Sequence, residues 1–236
     1  MTDASATLSA VDVSTARSTP RAASAVGYAV ATKGAVARQL GLSRGALEAN
    51  GFTGKSGQVL AVPSGDGLAV AVGIGDPGSI DANGLRSAAA AFARAASKHA
   101  HLATNLADLE GVDAKAAGQA VAEGILLASY RYVGLKNDAS LGSKLESLAL
   151  VVGDKRQKGV EQGAERGAVV AAAAALAREL ANTPPTHLNA KDIAAKAVDI
   201  GSASGLHVEV FNKDELDQMG CGGILGVNRG STEPPR

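Results

Sequence analysis

VEQGAERGAVVAAAAALARELANTPPTHLN, residues 160–189, decides how the rest of the chain is read. Glu161 and Glu165 stand near its start, alanines fill its middle, and Arg178 stands near its end. Alanine is the strongest helix former, and acids early with a base late suit the helix dipole. Pro184 and Pro185 cannot continue a helix, and they push Thr183 into extended backbone. The stretch therefore predicts a linking helix over 159–182 and a rigid turn at 183–189. Its uncharged run, Gly167–Ala177, is about half of the roughly 20 residues that span a bilayer, which argues against a membrane segment. Gly163, Gly167 and the alanines form rows of small residues four apart, a surface that lets another element come close. A helix buried between two structural layers is the expectation.

The surrounding composition supports a globular chain. Its 236 residues suffice for one large domain or two small ones, and 46% are hydrophobic. The 23 basic and 23 acidic side chains balance to a formal net charge of zero, which gives no global attraction to nucleic acid or anionic lipid. A single cysteine, Cys221, excludes an intrachain disulfide and fits a reducing compartment. Residues 1–15 lack the basic and apolar regions of a secretory signal, so a cytoplasmic location is expected. Aromatic residues make up 3% and tryptophan is absent, leaving no platform for stacked bases.

Taken in order, 4–13 reads as a first strand and Val26–Ala31 as a second, with a broken helix over Gly34–Ala49. Gly57–Val62 and Leu68–Ile74 form a strand pair around the turn sequence PSGDG. Asn83–His101 reads as a helix capped by Asp81 or Asn83, followed by a strand at Leu102–Leu106 and a helix over Asp113–Ser129. Tyr130–Leu135 and Lys144–Val152 read as strands. This alternation predicts an α/β layer with a parallel or mixed sheet. After Asn189 the pattern restarts, with a helix at Lys191–Ser204, a strand at His207–Phe211, a short helix at Lys213–Met219, and another or a tight glycine-rich turn at Gly222–Asn228. One strand and two helices cannot bury themselves alone, so further sequence downstream of Arg236 is expected.

No residue set carries chemistry by spacing. Gly73, Gly75 and Gly78 match a dinucleotide fingerprint, but Pro77 interrupts the entry into a helix, and a plain turn is the better reading. His99 and His101 would face apart on a helix, His187 follows the proline turn, and His207 has no partner in register. Cys221 has neither a histidine nor a basic run beside it and reads as a packed thiol. No nucleophile elbow is present. Asp192, Asp199, Glu209, Asp214, Glu215 and Asp217 read as solvated faces. The expected catalytic, cofactor-binding and metal-binding residues within these 236 are accordingly none. Arg17, Arg21, Lys33, Arg38 and Arg44 are the only basic group that could serve a nucleic acid, and a scattered surface suits them better.

Two segments nonetheless resemble the cytosolic leucyl aminopeptidase family: Arg178–Pro185, RELANTPP, and Gly220–Arg236, GCGGILGVNRGSTEPPR. In that family a long helix ends in an Asn-Thr-Pro-Pro turn, and a Gly-Ser…Pro-Pro-Arg segment leads into the catalytic core. Thr186, where many members carry Asn, and Asn228-Arg229 depart from the pattern. The resemblance implies a macro-domain-like N-terminal α/β domain (1–158), a linking helix (159–182) and the first part of an α/β metallopeptidase domain (183–236). It implies a homohexameric enzyme that releases N-terminal residues from peptides with two divalent metal ions, Mn or Zn. Its metal ligands would follow Arg236, so this portion alone is expected to be inactive. The alternative is a nucleotide- or DNA-binding α/β module without peptidase activity.

Overall fold

A computed structural model describes residues 10–236. Its centre is the strand β4, Gly67–Gly75 (GLAVAVGIG), in which every residue from Ala69 to Ile74 is buried. A strand covered on both faces needs apolar side chains at every position instead of an alternation. Val70 and Val72 enter the larger core on one face, while Ala69 and Ala71 enter a smaller core on the other.

Among the described residues six strands, β4 included, form one mixed sheet: β1 (Asp12–Ala16), β2 (Ala25–Ala31), β3 (Val59–Ser64), β4, β5 (His101–Thr104) and β6 (Ser147–Val151). Their spatial order is β1-β6-β5-β2-β4-β3, parallel throughout except for the antiparallel edge pair β3–β4. The expected hairpin is present, with Leu60 opposite Ala71 and Gly65 at φ 57° in the turn. The strand expected at 4–13 lies partly outside the described residues, and β1 begins at Asp12.

The larger core is built by three helices, α2 (Ala82–Ala95), α3 (Ala114–Ser129) and α4 (Asp154–Asn182). Phe92 of α2 packs so closely on Gly27 of β2 that a Cβ there would lie 2.9 Å from its ring. Asp81 caps α2 by accepting from the Gly84 amide at 2.7 Å, one of the two caps anticipated. That helix ends at Ala95, earlier than expected, and His101 opens β5. The smaller core uses a 3-10 turn at Arg38–Leu40 and helix α1 (Arg44–Ala49), the broken helix of the sequence, interrupted where Gly41 takes φ 66°.

α4 starts at Asp154, five residues before the expected Gly159, because Asp154 and the residues after it already suit a helical first turn. It is not buried all round. Val160, Gly163, Ala164, Gly167, Ala171 and Ala175 form one inner stripe, while Val169 on the outer side is 70% exposed. The small-residue row does what its spacing predicted: a Cβ on Gly163 would collide with the Lys115 carbonyl of α3, and one on Gly118 with the Val160 carbonyl. Tyr130–Leu135 forms no strand. Tyr130 is instead buried against Ala175 and donates from its hydroxyl to Glu179 at 3.0 Å, with the Arg178 guanidinium 4.0 Å over its ring.

The chain divides into two compact units, Met1–Glu179, of which the residues from 10 onward are described, and Leu180–Arg236. Within the second, α5 (Ala190–Ser204) and α6 (Lys213–Gln218) begin with capping boxes, Asn189 with Asp192 and Asn212 with Glu215. α7 spans Gly222–Asn228. His207–Phe211 is not a strand: its apolar–polar alternation has no neighbouring strand among the described residues to pair with. Leu216 is the large apolar side chain buried here, whereas Ile193, Leu206, Ile224 and Val227 are exposed.

Candidate functional site

Parallel strands end together, and the loops that leave them border a crevice at the carboxyl edge of the sheet. Here that crevice has a volume of about 410 Å³. Arg17, Ser18 and Thr19 follow β1, Asn105 and Asp108 follow β5, and Val151–Gly153 close β6 and lead into α4. Val26 and Tyr28, two positions apart on β2 and therefore on one face, supply its wall. A second crevice of about 370 Å³, lined by Arg21–Ser24, Ser64 and Asp66–Ala69, shares Val26 and Tyr28 with it.

Two polar side chains in the crevice, Asn105 and Asp108, are placed by backbone contacts. Asn105 Oδ1 accepts from the Ala29 amide at 2.9 Å, which fixes the side-chain amide with its nitrogen as a donor. Asp108 Oδ1 accepts from the Gly153 amide at 3.0 Å, at the amino end of α4, where a carboxylate is favoured by the helix dipole. Asp154 pairs with Arg17 at 2.8 Å, but both side chains are about 70% exposed, so the pair adds little stability. Burial raises the Tyr28 phenol above its ordinary pKa, and a hydrogen bond with Thr19 partly opposes the rise. The arrangement can hold a small polar molecule. It shows no nucleophile paired with a base.

The residues singled out in the sequence do not converge. The glycine loop is a turn: the Gly73 and Gly75 amides are spent on the Gln58 and Gly54 carbonyls, and Asp76 Oδ1 takes the Gly78 amide. His99 and His101 do not share a helix. The His101 ring meets the Ser147 hydroxyl at 3.0 Å and lies 3.8 Å from Glu146. His207 pairs with Glu209 at 3.0 Å on an exposed loop, and the exposed His187 lies in the turn where its amide donates to the Pro184 carbonyl. Cys221 is a free thiol preceding α7. Arg44 is tied to the Ala31, Thr32 and Gly34 carbonyls and Arg17 to Asp154, while Arg21, Lys33 and Arg38 are exposed. Among the described residues no three His, Cys, Asp or Glu side chains are grouped to hold a metal ion. No helix among them is long and apolar enough to cross a membrane.

Sequence reasoning missed Asn105 and Asp108. Their signal was an Asn-Leu-Ala-Asp turn directly after an apolar strand, obscured because that strand was expected to run on to Leu106. It also missed Glu123, 5% exposed on α3, whose carboxylate meets Arg86 and Gln119 at 2.7 Å each.

The Cytosol aminopeptidase family, N-terminal domain, matches residues 30–139, and the Cytosol aminopeptidase family, catalytic domain, matches residues 175–236. A probable cytosol aminopeptidase of Rhodococcus opacus is 39% identical over 198 residues, 80% of this chain and 38% of that protein. One of Corynebacterium diphtheriae is 36% identical over 195 residues, 80% of this chain and 37% of that protein. The chain thus spans well under half the length of the curated relatives it matches. Among solved structures, the bottromycin maturation enzyme BotP superposes with a TM-score of 0.75 at 32% identity, covering 90% of this chain and 44% of that one. A mutant of tomato leucine aminopeptidase shares the fold, with a TM-score of 0.81 at 22% identity over 95% of this chain and 49% of that one.

Proposed function

The chain belongs to the cytosol aminopeptidase family, and we propose that it is the N-terminal portion of a metal-dependent leucyl aminopeptidase that releases N-terminal residues from peptides. One observation carries this: the N-terminal and catalytic family domains match in succession along one chain, and the interval between them, 140–174, holds β6 and most of α4. The peptidase reading is favoured over a binding module that lacks peptidase activity. In this proposal 1–158 is the N-terminal domain, 159–182 the linking helix and 183–236 the start of the catalytic domain.

Two divalent ions, Mn or Zn, would polarise the scissile carbonyl and supply hydroxide in the parent enzyme. A solved BotP structure carries Mn. The residues described here do not fit such a centre, because their possible ligands are dispersed, so no catalytic step is assigned to them. Their role in the proposal is structural. The interlocked α3–α4 contact and the clasp of Tyr130 with Glu179 and Arg178 fix the long helix, and Thr183-Pro184-Pro185 stiffens the exit from it. The exposed apolar side chains of 180–236 suit burial within a complete catalytic domain, cytoplasmic and assembled as a homohexamer.

Metal titration tests this placement. Calorimetry with Mn²⁺ and Zn²⁺ is expected to find no stoichiometric site on the 236-residue chain, and two per chain on a form extended through a complete catalytic domain. Two tight sites on the 236 residues alone would overturn it.

A further inference from the structure

We propose that the crevice at the carboxyl ends of β1, β6 and β5, walled by Val26 and Tyr28 of β2, is a ligand site that takes a neutral molecule bearing a vicinal diol on a flat body, as a nucleoside does. Three observations place a site there. The crevice volume of about 410 Å³ lies within the range of roughly 300–1,000 Å³ of small-molecule pockets. It opens where open α/β sheets bind ligands, at the strand carboxyl ends. The topology also reverses there, since β2 lies between β4 and β5, the two strands joined through α2.

The donors and acceptors select the ligand. Asp108 Oδ1 is held by the Gly153 amide, and no hydrogen bond among the described residues reaches Oδ2. Asn105 is oriented by the Ala29 amide, and its nitrogen is likewise left with hydrogens to donate. A carboxylate oxygen and an amide nitrogen on one 3-10 turn (Asn105 precedes it and Asp108 ends it) suit neighbouring hydroxyls, each of which both donates and accepts. In the same crevice, Val26 and the Tyr28 ring offer a wall for a flat body.

Charge argues against a phosphate, although a helix begins here. The amino end of α4 already faces the Asp108 carboxylate, and the Arg17 guanidinium is engaged by Asp154. A phosphate would therefore meet the Asp108 carboxylate, with the one cation of the lining already paired to Asp154. The glycine loop offers no alternative cradle, since its amides are bonded within the sheet.

Ligand-observed NMR and calorimetry on the 236-residue chain test the site with adenosine, ribose and AMP. Adenosine is expected to bind at least about tenfold more tightly than AMP, because AMP keeps the vicinal diol but adds a 5′-phosphate whose charge the Asp108 carboxylate repels. Asp108→Asn keeps the acceptor for the Gly153 amide while removing the charge, and is expected to weaken adenosine about tenfold. Tyr28→Leu is expected to weaken adenosine and leave ribose unchanged. Circular dichroism melts of both variants show whether the fold survives. If neither adenosine nor ribose binds, if AMP matches adenosine, or if folded Asp108→Asn binds as tightly as the parent, the proposal is wrong. Ribose binding as tightly as adenosine would overturn the role given to Tyr28.

Discussion

Glu123 shows how much a single side chain can hold in an alanine-rich core. It is buried on α3 among residues chosen for smallness, and Arg86 of α2 answers its charge while Gln119 takes its second oxygen. Arg86 in turn donates to Asn83 at 2.7 Å, so the network ties two helices together. Breaking one side leaves the other uncompensated, which costs more than the intact pair contributes. Glu123→Ala is expected to cost about 2 kcal/mol in urea unfolding, discounted because Arg86 is one-third exposed. Glu123→Leu combined with Arg86→Met is expected to recover most of that loss, and equal destabilisation by the double and single variants would refute the network. Tyr28 supplies a pH signature. Its phenol is raised by burial, so the folded state favours the neutral form, and its contribution is intact below the unfolded value near 10. Stability should then fall as pH climbs from there through the raised folded value, and Tyr28→Phe should lose that part of the alkaline dependence. This network was illegible in the sequence because a Glu and an Arg 37 residues apart announce nothing until two helices are packed.

Among the elements, α4 was the most legible. Its dipole-matched ends, small-residue rows and double proline each specify part of one helix, and Gly163 and Gly167 do lie where α3 approaches. Gly163→Ala is expected to force the helices apart at the Lys115 carbonyl and cost about 1–3 kcal/mol. Gly45→Ala in α1, where an added Cβ meets nothing within 4 Å, is expected to stabilise by about 0.5–1 kcal/mol. Both are read by denaturant melts, and a neutral Gly163→Ala would show that the close approach is not required. The elements that were misread share one cause. Tyr130–Leu135 and His207–Phe211 carry strand-like residues, but a strand exists only where a partner offers its backbone. Tyr130 is drawn instead to Ala175 and Glu179 of α4, and no other strand in the 180–236 unit accompanies His207–Phe211. The alanines leading into His99–His101 predict a helix, yet Ala96 is a helix cap and the chain turns there into β5. Periodicity describes which face is apolar; pairing is a property of the assembled sheet.

At the scale of the whole molecule, the two units differ in how far they satisfy themselves. The sheet and its helices bury Phe92, Leu85, Leu148 and Leu150 completely or nearly so, while 180–236 leaves Val227 at 91% and Leu206 at 64% exposure. A soluble surface seldom carries so many large apolar side chains together, and their burial in a catalytic domain is the physical content of the proposed function. The family was legible in the sequence through RELANTPP and the segment ending in EPPR, whereas the crevice was not, because it is made of loops brought together by strand order. The most direct measurement is release of leucine from a leucyl amide with Mn²⁺ or Zn²⁺ present, comparing the 236-residue chain with a form extended through a complete catalytic domain. The account predicts chelator-sensitive turnover by the extended form and none by the 236 residues; turnover by the 236 residues at a comparable rate, or a folded extended form without activity, would contradict it.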